Sequence, residues 1–284
     1  DAVIAMAKYE VGVDLSQQSK KVRYIIVLFL LGVSVVALVG WNICVGTVRI
    51  PLADIFASIR GKKIENSRIL WDIRMPRTLA AMILGGALAL AGYLLQTFFH
   101  NPIAGPFVLG ISSGAKMVVA LVMVFLMGQA VKITSWALIA AAFVGAMISM
   151  GFVLLMSRRV HNMSMLVVSG VMIGYICSAV TELVVTFAQD ADIVNLHNWS
   201  LGSFSGTTWS SVRAACICVT VIFVLVFLMS KPLSAYQLGE SYALNLGVNV
   251  RLLRIGMVVF SSILSACVVA FAGPISFVGI AVPQ

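Results

Sequence analysis

Charged residues are scarce in this sequence, so each one that could do chemistry stands out. The stretch "DIRMPRTLAAM" sets Arg74 and Arg77 three residues apart, either side of Pro76 and just ahead of an apolar run. If a helix has begun there, that spacing puts both on one face; Pro76 favours a first turn that the two arginines bracket. Forked guanidiniums at such a place can each grip a carboxylate through two hydrogen bonds, or they can anchor a helix end at a membrane interface. The residues alone leave both readings open. Two further charges, Lys116 and Glu182, fall inside apolar runs. Facing lipid would be costly, so each must face a bundle interior, a water path or an end its side chain can reach. Glu182 either lines a substrate path or pairs with a neighbour. No chain of ionisable partners accompanies them, so neither reads as a proton relay.

Redox, metal and hydrolytic chemistry find no frame. The cysteines Cys44, Cys177, Cys216, Cys218 and Cys267 lie in or beside apolar runs. Cys216 and Cys218, two apart, point to different helix faces. Neither metal-ligand spacing nor a disulfide pattern is visible. His100, His161 and His197 are too dispersed to cluster, and His100 reads as an interface residue. No G-x-x-x-x-G-K-[ST] phosphate loop occurs. The expectation is a chain with no catalytic residue, no metal site and no cofactor of its own, and no enzyme; any ATP and magnesium would be held by a separate subunit.

The elements that must position these residues follow from hydropathy. Hydrophobic residues form 61% of the 284 and charged residues 10%, with a mean hydropathy of +1.06. Soluble domains carry about a quarter charged residues, so this is a polytopic membrane protein. Apolar runs fall near 24–45, 78–98, 108–127, 133–156, 164–188, 210–230 and 252–272, and an eighth begins around Pro274 and is cut off at Gln284. Each full run approaches the roughly 20 residues that cross a hydrocarbon core of about 30 Å. Helix is the only admissible form, because an open strand edge leaves backbone groups unsatisfied in lipid. The expected fold class is all-α. Interiors such as "LGGALALAG" and "AAAFVGAMISMG" let helix backbones approach closely.

The net charge of +9 sits at the flanks of the spans and suggests no nucleic-acid partner. Lys20, Lys21 and Arg23 precede the first span, Arg158 and Arg159 follow the fourth, and Lys231, Arg251 and Arg254 flank the loop after the sixth. Basic loops favour the cytoplasm, which puts the amino terminus inside. Residues 1–23 are then a cytoplasmic segment without signal-peptide order, and 24–284 the membrane domain with a cytoplasmic loop at 231–254. Because the chain opens on Asp1, its start is expected to be processed or incomplete. Arg49, Arg60, Lys62, Lys63, Arg68, Arg74 and Arg77 fall outside, against the rule, and read as a functional basic rim. "GPFVLGI" from Gly105 and "GPISFVGI" from Gly273 echo one another at the starts of an odd and an even span. They mark either an inverted repeat, a common transporter design, or a chance likeness of two Gly-Pro helix starts.

The loop "KPLSAYQLGESYALNLGVNVRLLR" is too long for a plain turn between two spans. Ser234 and Gln237 have capping-box spacing, which predicts a helix start. Leu238, Tyr242 and Leu246 then recur every fourth residue as a narrow apolar stripe, and Gly247 is placed to cap the helix. A helix seeking the membrane surface would carry Lys and Arg on its polar face. Residues 234–248 carry none, so the expected partner is a protein groove.

Four blocks in order then resemble the permease subunits of bacterial ABC importers for iron–siderophores, haem and cobalamin, the FecCD family. They are "IRMPRTLAAMILGGALALAGYLLQTFFHNPIAGPFVLGISSGA", "LHNWSLGSFSGTTW", "LGESYALNLGVNVRLLR" and "AGPISFVGIAVP". The resemblance implies a type II importer permease: a ten-helix bundle with an inverted repeat, of which seven full spans and the start of an eighth are present. It implies a second permease subunit, identical or not, two cytoplasmic ATPases, an external substrate-binding protein and the bacterial inner membrane. By the same resemblance Leu238, Gly239, Glu240, Tyr242, Ala243, Leu246 and Gly247 couple to the ATPase. Arg74 and Arg77 receive acidic residues of the binding protein, and Met163 and Ser164 stand at the cytoplasmic gate. The expected cargo is a ferric siderophore or a related metal chelate, moved by alternating access. The family continues Val-Pro-His through two more spans where this sequence has Val-Pro-Gln284, so a trimmed or truncated chain is expected. Two rivals remain: an ion-coupled secondary transporter, for which only Glu182 and Lys116 offer themselves, and a membrane scaffold without transport.

Overall fold

Every element found among the described residues is helical, as a chain this apolar requires. The computed structural model describes residues 2–46, 48–60, 67–127, 135–159, 163–275 and 277–283. Side chains are described from Lys21 onward, except at 52, 56, 59, 126, 127, 135, 157–159, 163 and 164. The chain divides into two compact units, Asp1–Thr78 and Leu79–Gln284.

In the first unit α1 (Ala2–Cys44) is one unbroken helix of 43 residues, so the polar amino-terminal segment and the first span are continuous. Residues 21–38 are exposed throughout. A short helix that hydropathy did not reveal, α2 (Leu52–Ile59), follows. A π-helical stretch, Ile69–Arg74, then runs directly into α3 (Met75–Phe99). Ile43, Ile50, Ile55 and Leu70 form a small core. The Trp71 indole donates to Ser58 Oγ at 2.9 Å, and Thr78 Oγ1 to Asn42 Oδ1 at 2.8 Å.

The second unit holds the remainder of α3, then α4 (Ile111–Met127), α5 (Ser135–Arg159), α6 (Met163–Thr186), α7 (Asp190–Ser200), α8 (Trp209–Leu228), α9 (Ser230–Gln237), α10 (Glu240–Asn245), α11 (Val250–Ala272) and α12 (Val278–Ala281). Among the described residues of both units, six helical stretches are long and apolar enough to cross a membrane: Lys21–Cys44, Ile69–Phe99, Trp136–Met156, Met165–Thr186, Trp209–Leu228 and Val250–Ala272. The third predicted span is shorter than expected. Its first residues form a 3-10 turn, Pro106–Leu109, closed by Gly110 at φ 71, a left-handed conformation that glycine adopts without penalty.

Small residues set the spacing of this unit. A Cβ on Gly145 of α5 would lie 2.2 Å from the Gly114 carbonyl oxygen of α4, and one on Gly114 would lie 1.9 Å from Ser149 Oγ. The two backbones therefore touch directly, which is the packing lipid-embedded helices use in place of a hydrophobic driving force. The two echoed Gly-Pro segments also meet in space. A Cβ on Gly105 would strike Ile280 at 2.6 Å, and one on Gly279 would lie 3.2 Å from Pro106 Cδ and from the Leu88 carbonyl. Gly92 of α3 faces the Gly279 carbonyl, where a Cβ would come within 1.7 Å. Gln96 Nε2 donates to the Ile280 carbonyl at 3.0 Å, satisfying backbone that a helix this short leaves open. The short α12 thus rests on α3, whereas the 3-10 turn packs on α6, where a Cβ on Gly170 would lie 2.9 Å from Leu109 Cα.

This packing predicts a sharp contrast between two glycines of α5. Gly145→Ala forces a methyl into the α4 backbone and is expected to cost about 1–3 kcal/mol, as overpacking does. At Gly151 nothing lies within 4 Å of an added Cβ, so Gly151→Ala is expected to stay within about 0.5 kcal/mol of wild type. Thermal unfolding of both variants in detergent checks the contrast.

Candidate functional site

The loop after α8 is built as two short helices joined at a glycine. Ser230 and not Ser234 begins α9, and the predicted capping box does not form: Ser234 Oγ donates back to the Ser230 carbonyl at 3.0 Å. Hydroxyls inside a helix commonly bond back to the preceding turn in this way. Gly239, at φ +129, breaks the helix before α10 begins at Glu240. Gly247 ends α10 as expected, at φ +78. Its N–H donates to the Leu244 carbonyl at 3.0 Å and the Val248 N–H to the Ala243 carbonyl at 3.0 Å, the paired bonds of a Schellman cap. Asn249 Oδ1 then accepts from the Leu252 N–H at 3.1 Å and starts α11.

Within this frame the predicted stripe stays together. Leu238, Tyr242 and Leu246 are exposed to 72%, 49% and 59%. With Ser230, Lys231, Ser234 and Ala235 they line one cleft of 360 Å³. On the opposite side Leu233, Tyr236 and Ala243 are buried. Glu240 forms a 2.7 Å ion pair with Arg254 of α11. The loop therefore presents apolar side chains outward from a buried footing.

The structure places the two arginines differently. Arg77 is exposed, whereas Arg74 is buried. Arg74 Nη1 donates to the Ile43 carbonyl at 2.5 Å and to the Cys44 carbonyl at 3.3 Å, and Nη2 donates to the Val48 carbonyl. The Ile43 and Cys44 carbonyls end α1, whose last turn holds no basic residue of its own, and Val48 lies in the segment just beyond it. A guanidinium satisfies orphan carbonyls and complements the helix dipole there. Gly46 makes room for it: a Cβ at that position would lie 2.6 Å from Arg74 Nη2. The reading from spacing missed this because the π-helical turn ends at Arg74 and the acceptors lie some thirty residues away in sequence. Of the other rim residues, Arg49, Arg60 and Arg68 are exposed, and Lys62 and Lys63 lie outside the described residues.

Glu182 is exposed one turn before the end of α6, on the face that also exposes Met172, Tyr175, Ile176 and Leu183. Lys116 is half-buried on α4. Neither forms a salt bridge among the described residues. Met163 and Ser164 begin α6, and their side chains, like all of His161, lie outside the described residues. His100 is exposed, in a left-handed conformation at φ 48, with its ring 5.0 Å from that of Tyr236. The cysteines are free thiols. Cys218 and Cys267, unrelated in the sequence reading, line one 340 Å³ apolar cleft among α5, α8 and α11. Among the described residues no group of three His, Cys, Asp or Glu could hold a metal.

Arg74→Ala is expected to strand buried carbonyls and to destabilise the protein by about 1–3 kcal/mol. Arg77→Ala, at an exposed site, is expected to change stability by less than about 0.5 kcal/mol. Melting temperatures of the two variants in one detergent separate these outcomes.

Comparison with known proteins places this geometry. The FecCD transport family matches residues 25–284. The chain is 35% identical over 270 residues to the vitamin B12 import system permease protein BtuC of Salmonella typhi, covering 94% of this chain and 78% of that protein, and equally so to its counterpart in Salmonella typhimurium. A solved structure described as an inward-facing metal-chelate type ABC transporter superposes with a TM-score of 0.77 at 24% identity, covering 90% of this chain and 78% of its own, and so shares the fold. A multi-pass helical bundle with a two-helix loop, matched along nearly its whole length, belongs to the FecCD transport family.

Proposed function

We propose that this protein is the membrane permease subunit of an ATP-driven importer that carries a metal chelate inward across the bacterial cytoplasmic membrane. The observation that carries the reading is the loop of α9 and α10, with Leu238, Tyr242 and Leu246 exposed over a buried footing. Apolar side chains held outward on a braced loop suit the groove of a second protein. No Lys or Arg lies on residues 234–248 to hold them at a lipid surface. The sequence contains no phosphate-binding loop, so nucleotide chemistry falls to that second protein, an ATPase subunit with its ATP and magnesium. On this reading the loop lies in the cytosol, the amino terminus is inside, and ATPase closure moves the spans as rigid bodies.

The remaining sites take their parts around that motion. Arg77, with the exposed rim arginines, receives carboxylates of an external binding protein, while Arg74 fixes the end of α1 beside it in sequence and in the same unit. The exposed face of α6 bearing Glu182 turns toward a second permease subunit and the path between them, and Met163 and Ser164 stand at its cytoplasmic end. Alternating access follows from differential affinity of the partners for the two states. Ferric siderophores, haem and cobalamin are the cargoes to test; the relatives named above import vitamin B12.

Two outcomes follow. Leu246→Asp puts a charge into the ATPase groove and is expected to reduce both ATPase co-purification and uptake by about tenfold or more, consistent with a buried unpaired charge; uptake at the wild-type rate would remove the docking role. Arg77→Glu is expected to weaken binding-protein affinity by about tenfold at low salt, with the difference shrinking as salt screens the charge. Titration of the binding protein against permease in nanodiscs at two ionic strengths measures it.

A further inference from the structure

The hinge at Gly239 poses a mechanical difficulty. A loop that is to move membrane helices contains a glycine at φ +129 in its middle, with nothing within 4 Å of a Cβ built there. Left alone, such a joint would absorb a push instead of passing it on. The side chains on either side of it are tied down. Before the hinge, Gln237 Nε2 donates to Tyr93 Oη at 3.1 Å and to Thr97 Oγ1 at 3.2 Å. Those two residues stand one turn apart on α3. Tyr236, fully buried, accepts from Arg254 Nε at 3.2 Å through its hydroxyl and sets its ring 5.0 Å from that of His100, just past the end of α3. After the hinge, Glu240 Oε2 accepts from Arg254 Nη2 at 2.7 Å.

Arg254 thus holds both sides of the hinge from α11, and Gln237 hooks the loop to α3. The contribution of these contacts to stability is small: Arg254 and Glu240 are 33% and 46% exposed, and an exposed pair of that kind adds little. What directional hydrogen bonds do supply is a fixed orientation. We infer that Gln237 and Arg254, with Tyr93, Thr97, Tyr236 and Glu240 as their partners, form a brace across Gly239. The brace makes the loop and the adjoining ends of α3 and α11 move as one piece. Gln237 and Arg254 are positioning residues, acting through the loop and touching neither cargo nor nucleotide.

This role rests on the importer reading, and its test separates the two. Permease, ATPase and binding protein are reconstituted in proteoliposomes with cyanocobalamin and a ferric hydroxamate as probes, and cargo moved per ATP hydrolysed is measured. Gln237→Met and Arg254→Met remove the bonds at similar volume; Tyr93→Phe, which deletes one hydroxyl, serves if either fails to fold. The brace predicts ATPase co-purification and melting temperature near wild type but about tenfold less cargo per ATP, a size usual for coupling between sites. Hydrogen exchange of the permease alone should rise at 238–247 in the same variants. A working wild type whose variants keep the wild-type ratio overturns the brace and leaves the importer reading intact. A wild type that moves neither probe while its ATPase is absent or idle overturns the importer reading, and the transmission role with it.

Discussion

Backbone that is not helical must find its hydrogen bonds inside the protein when no water is at hand, and that constraint organises the second unit. Two segments break off regular helix there, the 3-10 turn at Pro106–Leu109 and the short α12 at Val278–Ala281. The turn is laid against α6, with Gly110 beside the Gly170 carbonyl, and α12 against α3, whose Gly92 admits the Gly279 carbonyl and whose Gln96 donates to the Ile280 carbonyl. A larger residue at 92 would push the broken segment away and strand its carbonyls. Glycine at position 92 of α3 is therefore a requirement of the irregular segment beside it.

The same stretch of α3 also receives the loop. Tyr93 and Thr97 receive Gln237 only one turn from the residues that receive α12. One helix thus touches both α12 and the loop of α9 and α10. The arrangement divides labour by polarity. Apolar stripe residues point outward where a partner would cover them, and Tyr236, Gln237 and Glu240 bond back to α3 and α11, where their bonds set direction.

Much of this was legible in the sequence, and the failures have physical causes. Spans were legible because lipid imposes a length and a composition; α4 ran short because Pro106 and Gly110 spent its first residues on a tighter turn. Gly247 was legible as a cap because a left-handed residue at a helix end is nearly a glycine privilege. The capping box at Ser234 was misread because Ser230 had already opened the helix, and the stripe survived a break at Gly239 that periodicity does not reveal. The pairing of Arg74 with Arg77 by spacing gave way to bonds from Arg74 to carbonyls at Ile43, Cys44 and Val48. Long-range acceptors leave no local trace. Helices α2 and α7 were missed because each is brief, and α7 is polar as well, so neither stands out in hydropathy.

The proposed function requires that the insert between α8 and α11 be held by an ATPase in the cytosol. A single cysteine at position 242, in a chain whose own cysteines have been replaced, tests it in intact cells and in the purified assembly. The expected result is protection from a membrane-impermeant maleimide applied outside, together with a short-range cross-link to the ATPase subunit. Labelling from the outside, or an assembled transporter in which that position cross-links to no ATPase, would contradict it.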